Sequence, residues 1–256
     1  QVQPNEVLAY AMWSSESVPF DPMEKSIHTL YEQSFTIDDR PLYKMVHEYP
    51  LDGAPPVMTH VFRNAANDTI IACKGGVESI LRQSVLTDEQ KQQMLEVTQQ
   101  LSAQGYRVLA VAKSAKSYDK FPATQAEFDY TFLGLIAFSD PPKKNTASII
   151  TSFYQAGIGV KMITGDYAPT AIAIAKQIGI QNHQAVLTGD EIMLMDAVTI
   201  QEKVKATNVY ARMFPEAKLK VIEAFKRNGE VVAMTGDGVN DGPALNAAHI
   251  GIAMGQ

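Results

Sequence analysis

In the second half of the chain, short apolar runs alternate with longer stretches in which apolar residues recur every three or four positions. The helical stretches lie at 145–155, 168–178 and 215–229. The strand-length runs lie at 130–138, 160–163, 185–192, 208–213 and 230–238. Strands separated by helices predict an α/β fold with a mostly parallel sheet, and we expect the first of these runs to be a buried strand.

The first half follows a different pattern, in which strands succeed one another. Its predicted elements are helices at Pro4–Ser14 and after Pro22, a proline-rich break at Pro50–Pro56, two alternating strands around the turn at 64–68, a helix at Asp88–Ala103 and a strand at 106–115. This mixture predicts an α+β domain with an antiparallel sheet. We therefore expect two domains, 1–128 and 129–256, with the boundary between Ala123 and Tyr130.

Composition narrows the class of protein. Of 256 residues, 46% are hydrophobic, which is enough for sizeable cores, and the net charge of −6 argues against a nucleic-acid binder. The single cysteine, Cys73, excludes a disulfide framework and a cysteine metal cluster, so a reducing, cytosolic setting is expected. No apolar run reaches the roughly 18 residues of a membrane span, and no signal peptide is visible. Because the chain starts without Met and stops after a strand-like run, we expect a soluble piece of a larger protein.

Polar residues cluster where the predicted strands of the second half end. Thr-Gly-Asp at 164–166 follows one strand, Lys218 lies on a later helix, and Asp237 and Asp241 follow another strand. Such sheets bind their ligands at the carboxyl ends of the strands. A hydroxyl, an ammonium and paired carboxylates suit a magnesium-assisted phosphoryl site.

Each of these features also has a structural explanation. Thr-Gly-Asp after a strand is often a helix-capping turn, a single helical lysine usually faces solvent, and Asp241 is placed to cap a helix that includes Pro243. The order of the features along the chain, rather than any single one, favours function.

That order also brings a resemblance to a known family. The motifs that carry it are CKGGVESIL (73–81), FSDPPKKNT (138–146), MITGD (162–166), ARMFPEAKLKVI (211–222) and MTGDGVNDGPAL (234–245). Together they resemble the cytoplasmic head of P-type cation-transporting ATPases over nearly the whole chain. The resemblance implies a haloacid dehalogenase-like, Rossmann-like parallel sheet as the phosphorylation domain, lacking its first strand, plus an inserted nucleotide-binding domain.

The resemblance also assigns roles to single residues. It implies Mg²⁺ ligands at Asp237 and Asp241, with catalytic roles for Asp241 and for Thr164, Lys218 and Asn240. The residues that it places around ATP are Glu24, Lys74, Arg107, Asp140, Lys143, Thr164, Gly165, Asp166 and Arg212.

The chain departs from the family pattern at the adenine pocket. Leu51 stands where an aromatic residue normally stacks on adenine, and Pro55 and Pro56 replace a basic pair. Leucine offers neither aromatic stacking nor a cation–π contact, so we expect weak nucleotide binding.

The resemblance implies an ATP-driven cation pump that phosphorylates an aspartate in the sequence DKTGT, which this chain does not contain. We expect that aspartate upstream of Gln1, so this segment alone should be inactive. Its expected partners are ATP, Mg²⁺, the transported cation, and the actuator and membrane domains of a pump in a bacterial inner membrane, with this segment on the cytoplasmic side. Calcium is the favoured ion, while protons, sodium and magnesium stay open.

Two alternatives remain open at this point. One is a soluble phosphatase of the same superfamily, with the first half as its substrate cap. The other is a non-catalytic nucleotide-binding regulatory module.

Overall fold

The structure is a computed structural model that describes residues 4–53, 56–116, 118, 120–236 and 241–254. The chain divides into two compact units. The first comprises residues 1–101 and 108–138, and the second comprises residues 102–107 and 139–256.

The first unit is built on a five-stranded sheet with helices on its faces. Its strands are β1 (Tyr43–Asp52), β2 (Val57–Asn64), β3 (Thr69–Gly75), β4 (Arg107–Ser114) and β5 (Thr131–Phe138). Its helices are α1 (Pro4–Trp13), α2 (Pro22–Ser34), α3 (Val77–Gln83) and α4 (Asp88–Ala103). The strands lie in the order β1-β2-β3-β4-β5, and the first three pairs are antiparallel, which confirms the predicted α+β class.

Neighbouring residues along the central strands face two different cores, because side chains alternate across a sheet. Val61 and Ile71 pack in one core with Ile80 of α3. Phe62 and Ala72 pack in the other core with side chains of α1 and α2. The apolar runs of β2 and β3 are therefore buried on both faces.

The strand β1 was missed, because Pro50 lies within it and its neighbourhood reads as a break. Strand β1 pairs only with β2, and at a sheet edge a residue without an N–H is tolerated. The register of β1 against β2 shifts twice, between Met45 and His47 and between Tyr49 and Asp52.

The strand predicted at 130–138 forms as β5, but it is less buried than expected. In β5 only Leu133 is buried, because the strand lies at the edge of its sheet, next to β4. The strand also belongs to the first unit rather than to the α/β half. The assignment of nucleotide-binding and phosphorylation domains to 1–128 and 129–256 stays a prediction.

The second unit contains two parallel sheets surrounded by helices. Its strands are β6 (Met162–Ile163), β7 (Val186–Thr188), β8 (Val209–Ala211), β9 (Ala233–Gly236) and β10 (Ile250–Ala253). Its helices are α5 (Thr146–Gln155), α6 (Ala168–Gln177), α7 (Gly189–Leu194), α8 (Ala197–Ala206), α9 (Pro215–Arg227) and α10 (Gly242–Ala247). One sheet has the order β6-β8-β7 and the other pairs β9 with β10, all in parallel, as the sequence predicted.

Helix α9 packs into the apolar cores of both parallel sheets. Its residues Ala217 and Val221 pack with Tyr210 of β8. Ile222 on the same helix packs with Met234 of β9. The helix therefore fixes where its polar residues stand relative to the ends of both sheets.

Within the described residues, no helix combines the length and apolar character that a bilayer crossing needs.

We expect Ile80→Ala to lower the free energy of unfolding by about 2–5 kcal/mol, because Ile80 is 1% exposed and its truncation leaves a cavity. Urea denaturation measures the change. The nearby Val85→Ala is the control, since Val85 is 89% exposed and its truncation should change stability by less than about 0.5 kcal/mol. Equal losses in the two variants would contradict the assignment of this core.

Candidate functional site

The ends of β6 and β8 are joined by backbone hydrogen bonds beyond the strands themselves. The Thr164 N–H donates to the Tyr210 carbonyl at 2.9 Å, and the Met213 N–H donates to the Thr164 carbonyl at 3.0 Å. Residues 164–166 therefore lie beside the segment that leads into α9. This is the strand-end edge at which the sequence predicted a site.

Thr164 and Asp166 form a small hydrogen-bonded turn after β6. The Thr164 hydroxyl donates to Asp166 Oδ2 at 2.9 Å and accepts the Asp166 N–H at 3.1 Å. Asp166 Oδ1 also lies 3.6 Å from Arg107 Nε, a pair in which the arginine side chain is 53% exposed and which contributes little stability. Helix α6 begins after Tyr167, so neither Thr164 nor Asp166 is its N-cap residue.

Arg212 adopts a left-handed backbone conformation, with φ of 51°. Non-glycine residues seldom adopt it, and such strain concentrates at functional sites. The Arg212 N–H donates to the Asp166 carbonyl at 2.9 Å, and its guanidinium lies 5.2 Å from the centre of the Tyr167 ring. These contacts hold Arg212 against the turn that follows β6.

Lys218 and Asp241 form a close ion pair, with Nζ 2.6 Å from Oδ1. Their side chains are 14% and 12% exposed, so the lysine does not simply face solvent. The Asp241 side chain makes no capping hydrogen bond to α10. The structure therefore supports neither a solvent-facing Lys218 nor a helix-capping Asp241, which were the two structural explanations open from the sequence.

Two glycines make room for this arrangement. A Cβ on Gly236, at the end of β9, would lie 2.6 Å from Asp241 Oδ2. A Cβ on Gly189 would lie 2.5 Å from the Arg212 carbonyl oxygen. Sequence reasoning missed Gly189, although it stands in a second Thr-Gly-Asp sequence at 188–190.

Other predicted residues are not placed in this cluster. Asp237 and Asn240, like Pro55, lie outside the described residues. Asp140 and Lys143 are exposed in the segment before α5.

In the first unit, Lys74 and Glu24 form an ion pair with Nζ 2.6 Å from Oε1 and with side chains 6% and 9% exposed. Lys74 Nζ also donates to the Ser14 carbonyl at 2.5 Å and to Ser15 Oγ at 3.0 Å. Burial lowers the pKa of Lys74, and the hydrogen bond to Glu24 opposes that shift. Because an ammonium has three N–H groups, these three acceptors use all of its donors.

Sequence reasoning did not identify Ser14 or Ser15, because two serines at the end of a helix carry no distinctive signal. Leu51, the predicted adenine-stacking position, is 63% exposed on β1. The predicted contacts of Glu24, Lys74 and Arg107 with ATP stay predictions.

The haloacid dehalogenase-like hydrolase family matches residues 51–249 of the chain. The chain is 40% identical over 222 residues to a probable cation-transporting ATPase F of Mycobacterium tuberculosis, a match that covers 81% of the chain and 24% of the relative. It is 36% identical over 236 residues to calcium-transporting ATPase 1 of Saccharomyces cerevisiae, which covers 86% of the chain and 25% of the relative. It is 35% identical over 225 residues to a calcium-transporting ATPase of Bacillus subtilis, a match that covers 83% of the chain and 25% of the relative.

The resemblance to cation-transporting ATPases is thereby confirmed. The chain spans about a quarter of the length of these curated relatives.

We expect Lys218→Met to lower the free energy of unfolding by about 3 kcal/mol, because it leaves the buried Asp241 carboxylate without its partner. The matched control is Lys205→Met, whose ion pair with Glu202 has side chains 57% and 70% exposed and should be worth less than about 1 kcal/mol. Thermal and urea unfolding at neutral pH compare the two. Similar effects in both variants would mean that the Lys218–Asp241 pair is solvated.

Proposed function

The chain belongs to the haloacid dehalogenase-like hydrolase family, and on that premise we propose that it is the ATP-using head of a cation pump. In this proposal the second unit supports transfer of the ATP γ-phosphate to an aspartate. The observation that carries the proposal is the buried ion pair between Lys218 on α9 and Asp241. Helix α9 follows β8, and the end of β8 is hydrogen-bonded to Thr164.

The side chains of this site match the needs of phosphoryl transfer. As negative charge shifts between the oxygens of a transferring phosphoryl group, a fixed ammonium such as that of Lys218 stabilises it. The Thr164 hydroxyl, which donates to Asp166 Oδ2 at the end of β6, is proposed to turn its O–H to a phosphate oxygen when the substrate binds. Asp241 holds Lys218 in place through a charge-assisted hydrogen bond of 2.6 Å.

The donor set also fits Mg²⁺, since it consists of hard carboxylate oxygens. The ion would be held by Asp237 and Asp241, and when bound it would neutralise phosphate charge. Lys218 already balances the charge of Asp241, so a divalent cation at this place needs further negative charge. We propose that Asp237 and the phosphate supply it.

The nucleotide part of the proposal stands on the family resemblance rather than on Lys74. With all three Lys74 donors engaged inside the first unit, we propose that Lys74 and Glu24 position the Ser14–Glu16 segment rather than contact ATP directly. Arg107 and Arg212 are then the cations proposed for the phosphates.

The acceptor aspartate is proposed to lie on a segment outside this sequence, because the chain contains no DKTGT and spans about a quarter of its relatives. This chain alone is therefore proposed to be inactive. The relatives' names support a transported cation, and calcium is the favoured ion. The proposed partners are actuator and membrane domains in a bacterial inner membrane.

We expect an extended polypeptide that carries an upstream DKTGT segment to incorporate acid-stable label from γ-labelled ATP in the presence of Mg²⁺. Lys218→Ala and Asp237→Asn should each lower labelling about 100-fold or more, because each removes charge that stabilises the transferring group. Lys205→Ala is the control and should label normally. Unchanged labelling in Asp237→Asn would contradict the metal assignment.

The activity of residues 1–256 alone distinguishes the proposed pump head from a soluble phosphatase. We expect neither labelling by ATP nor hydrolysis of p-nitrophenyl phosphate by residues 1–256, because the nucleophile is missing. Hydrolysis by the chain alone that Lys218→Ala abolishes would favour the phosphatase instead.

A further inference from the structure

Three potential metal ligands meet in the first unit, and none of them is assigned above to phosphoryl transfer. Ligand atoms of Glu16, Glu48 and His60 all lie within 4.8 Å of one another. Glu48 on β1 and His60 on β2 are direct cross-strand partners, and Glu16 follows the end of α1. Three separate parts of the chain therefore bring their side chains to one point.

His60 is the observation that points to a ligand. The residue is 0% exposed, and its Nε2 is buried without a hydrogen-bond partner. A buried polar atom left unpaired is destabilising, so an arrangement that keeps one needs an explanation.

The other ring nitrogen of His60 is already engaged. Nδ1 lies 3.1 Å from the Ser15 carbonyl oxygen, which can only accept, so Nδ1 carries the proton and donates it. Nε2 is then left with its lone pair, as in metal-bound histidines whose second nitrogen is oriented by a carbonyl.

The charges around His60 favour a divalent cation. Glu16, Glu24 and Glu48 contribute three carboxylates, against the single ammonium of Lys74. The ammonium of Lys74 is paired with Glu24, while Glu16 and Glu48 lie next to His60. The negative charge at this point is thus only partly balanced by the protein itself.

From this geometry we propose that Glu16, Glu48 and His60 bind a divalent transition-metal ion such as Zn²⁺. One imidazole with two carboxylates suits Zn²⁺, Mn²⁺ or Co²⁺ better than Mg²⁺, which prefers oxygen ligands alone. Two metal–ligand bonds of about 2.1 Å span up to about 4.2 Å, so small side-chain rotations bring the three ligands into range. Glu48 is exposed, which leaves an entry path and positions for water.

The site is tied to the Lys74–Glu24 pair through the short segment after α1. The Ser14 carbonyl and Ser15 Oγ accept from Lys74, the Ser15 carbonyl faces His60, and the Glu16 N–H donates to Glu24 Oε2 at 3.3 Å. A bound metal ion would therefore restrain residues 14–16, the same segment that the Lys74–Glu24 pair contacts. We expect a bound ion to stabilise the first unit.

The 256-residue chain, first stripped of metal with a chelator, tests the proposal by titration with Zn²⁺ against a chromophoric competitor. We expect one site per chain and a rise in melting temperature on Zn²⁺ addition that EDTA reverses. Glu16→Gln and Glu48→Gln should each weaken binding at least about tenfold, since even second-shell changes at metal sites have effects of that size.

Two matched controls separate this site from adventitious binding. Glu89→Gln removes an exposed carboxylate on α4, and His47→Gln removes an exposed imidazole one residue from Glu48; neither should change the affinity. His60→Gln should abolish binding. If that variant fails to fold, Glu16→Gln and Glu48→Gln decide the question, because both positions are at least partly exposed.

Zn²⁺ X-ray absorption should show one imidazole nitrogen among oxygen ligands. The proposal is overturned if stoichiometric binding is absent, if Glu16→Gln and Glu48→Gln bind as tightly as the parent chain, or if His47→Gln alone abolishes binding.

Discussion

The second unit depends on an ion pair that joins its two parallel sheets at their carboxyl ends. Asp241 is 12% exposed, and a buried carboxylate that lacks a partner is strongly destabilising, so its pairing with Lys218 is structurally important. Helix α9 must therefore hold a fixed position between β8 and β9, and its packing into the cores of both sheets provides this. Gly236 completes the constraint, since any side chain at that position would occupy the space of the Asp241 carboxylate.

Lys74 and Lys218 both form buried ion pairs, and the surroundings of the two pairs differ. Lys74 has every donor satisfied by the first unit itself, and these bonds tie the residues after α1 and Glu24 of α2 to β3. Lys218 stands beside the strand ends at which α/β sheets bind ligands. The same residue type therefore positions backbone in one unit and is proposed to bind phosphate in the other.

The sequence predicted the fold class correctly because helices and strands leave different patterns of apolar residues: a repeat every three or four positions for helices, and short apolar or alternating runs for strands. It failed at β1, where Pro50 is tolerated because the strand lies at the sheet edge. It located β5 correctly but overestimated its burial. Helices α7 and α8 were also missed, although Thr188 with Glu191 and Asp196 with Thr199 form capping hydrogen bonds at their starts. Helix α7 has only six residues, too few to show a clear helical period.

Part of the candidate site was predictable from the sequence. Motif order placed Thr164, Lys218 and Asp241 at one edge, because parallel strands end together. The cluster at Glu16, Glu48 and His60 was not predictable, since its members are far apart in sequence. The register of β1 on β2 pairs Glu48 with His60, and Glu16 joins them from the segment after α1. The predicted roles of the site residues remain predictions.

The irregular pairing of β1 also bears on how the protein behaves at high concentration. An exposed sheet edge presents unpaired N–H and C=O groups that can recruit a strand from a second molecule. Along β1 the hydrogen-bond spacing changes twice and Pro50 removes one donor, so an incoming strand could not pair continuously. This side of the sheet is therefore a poor template for intermolecular strand addition.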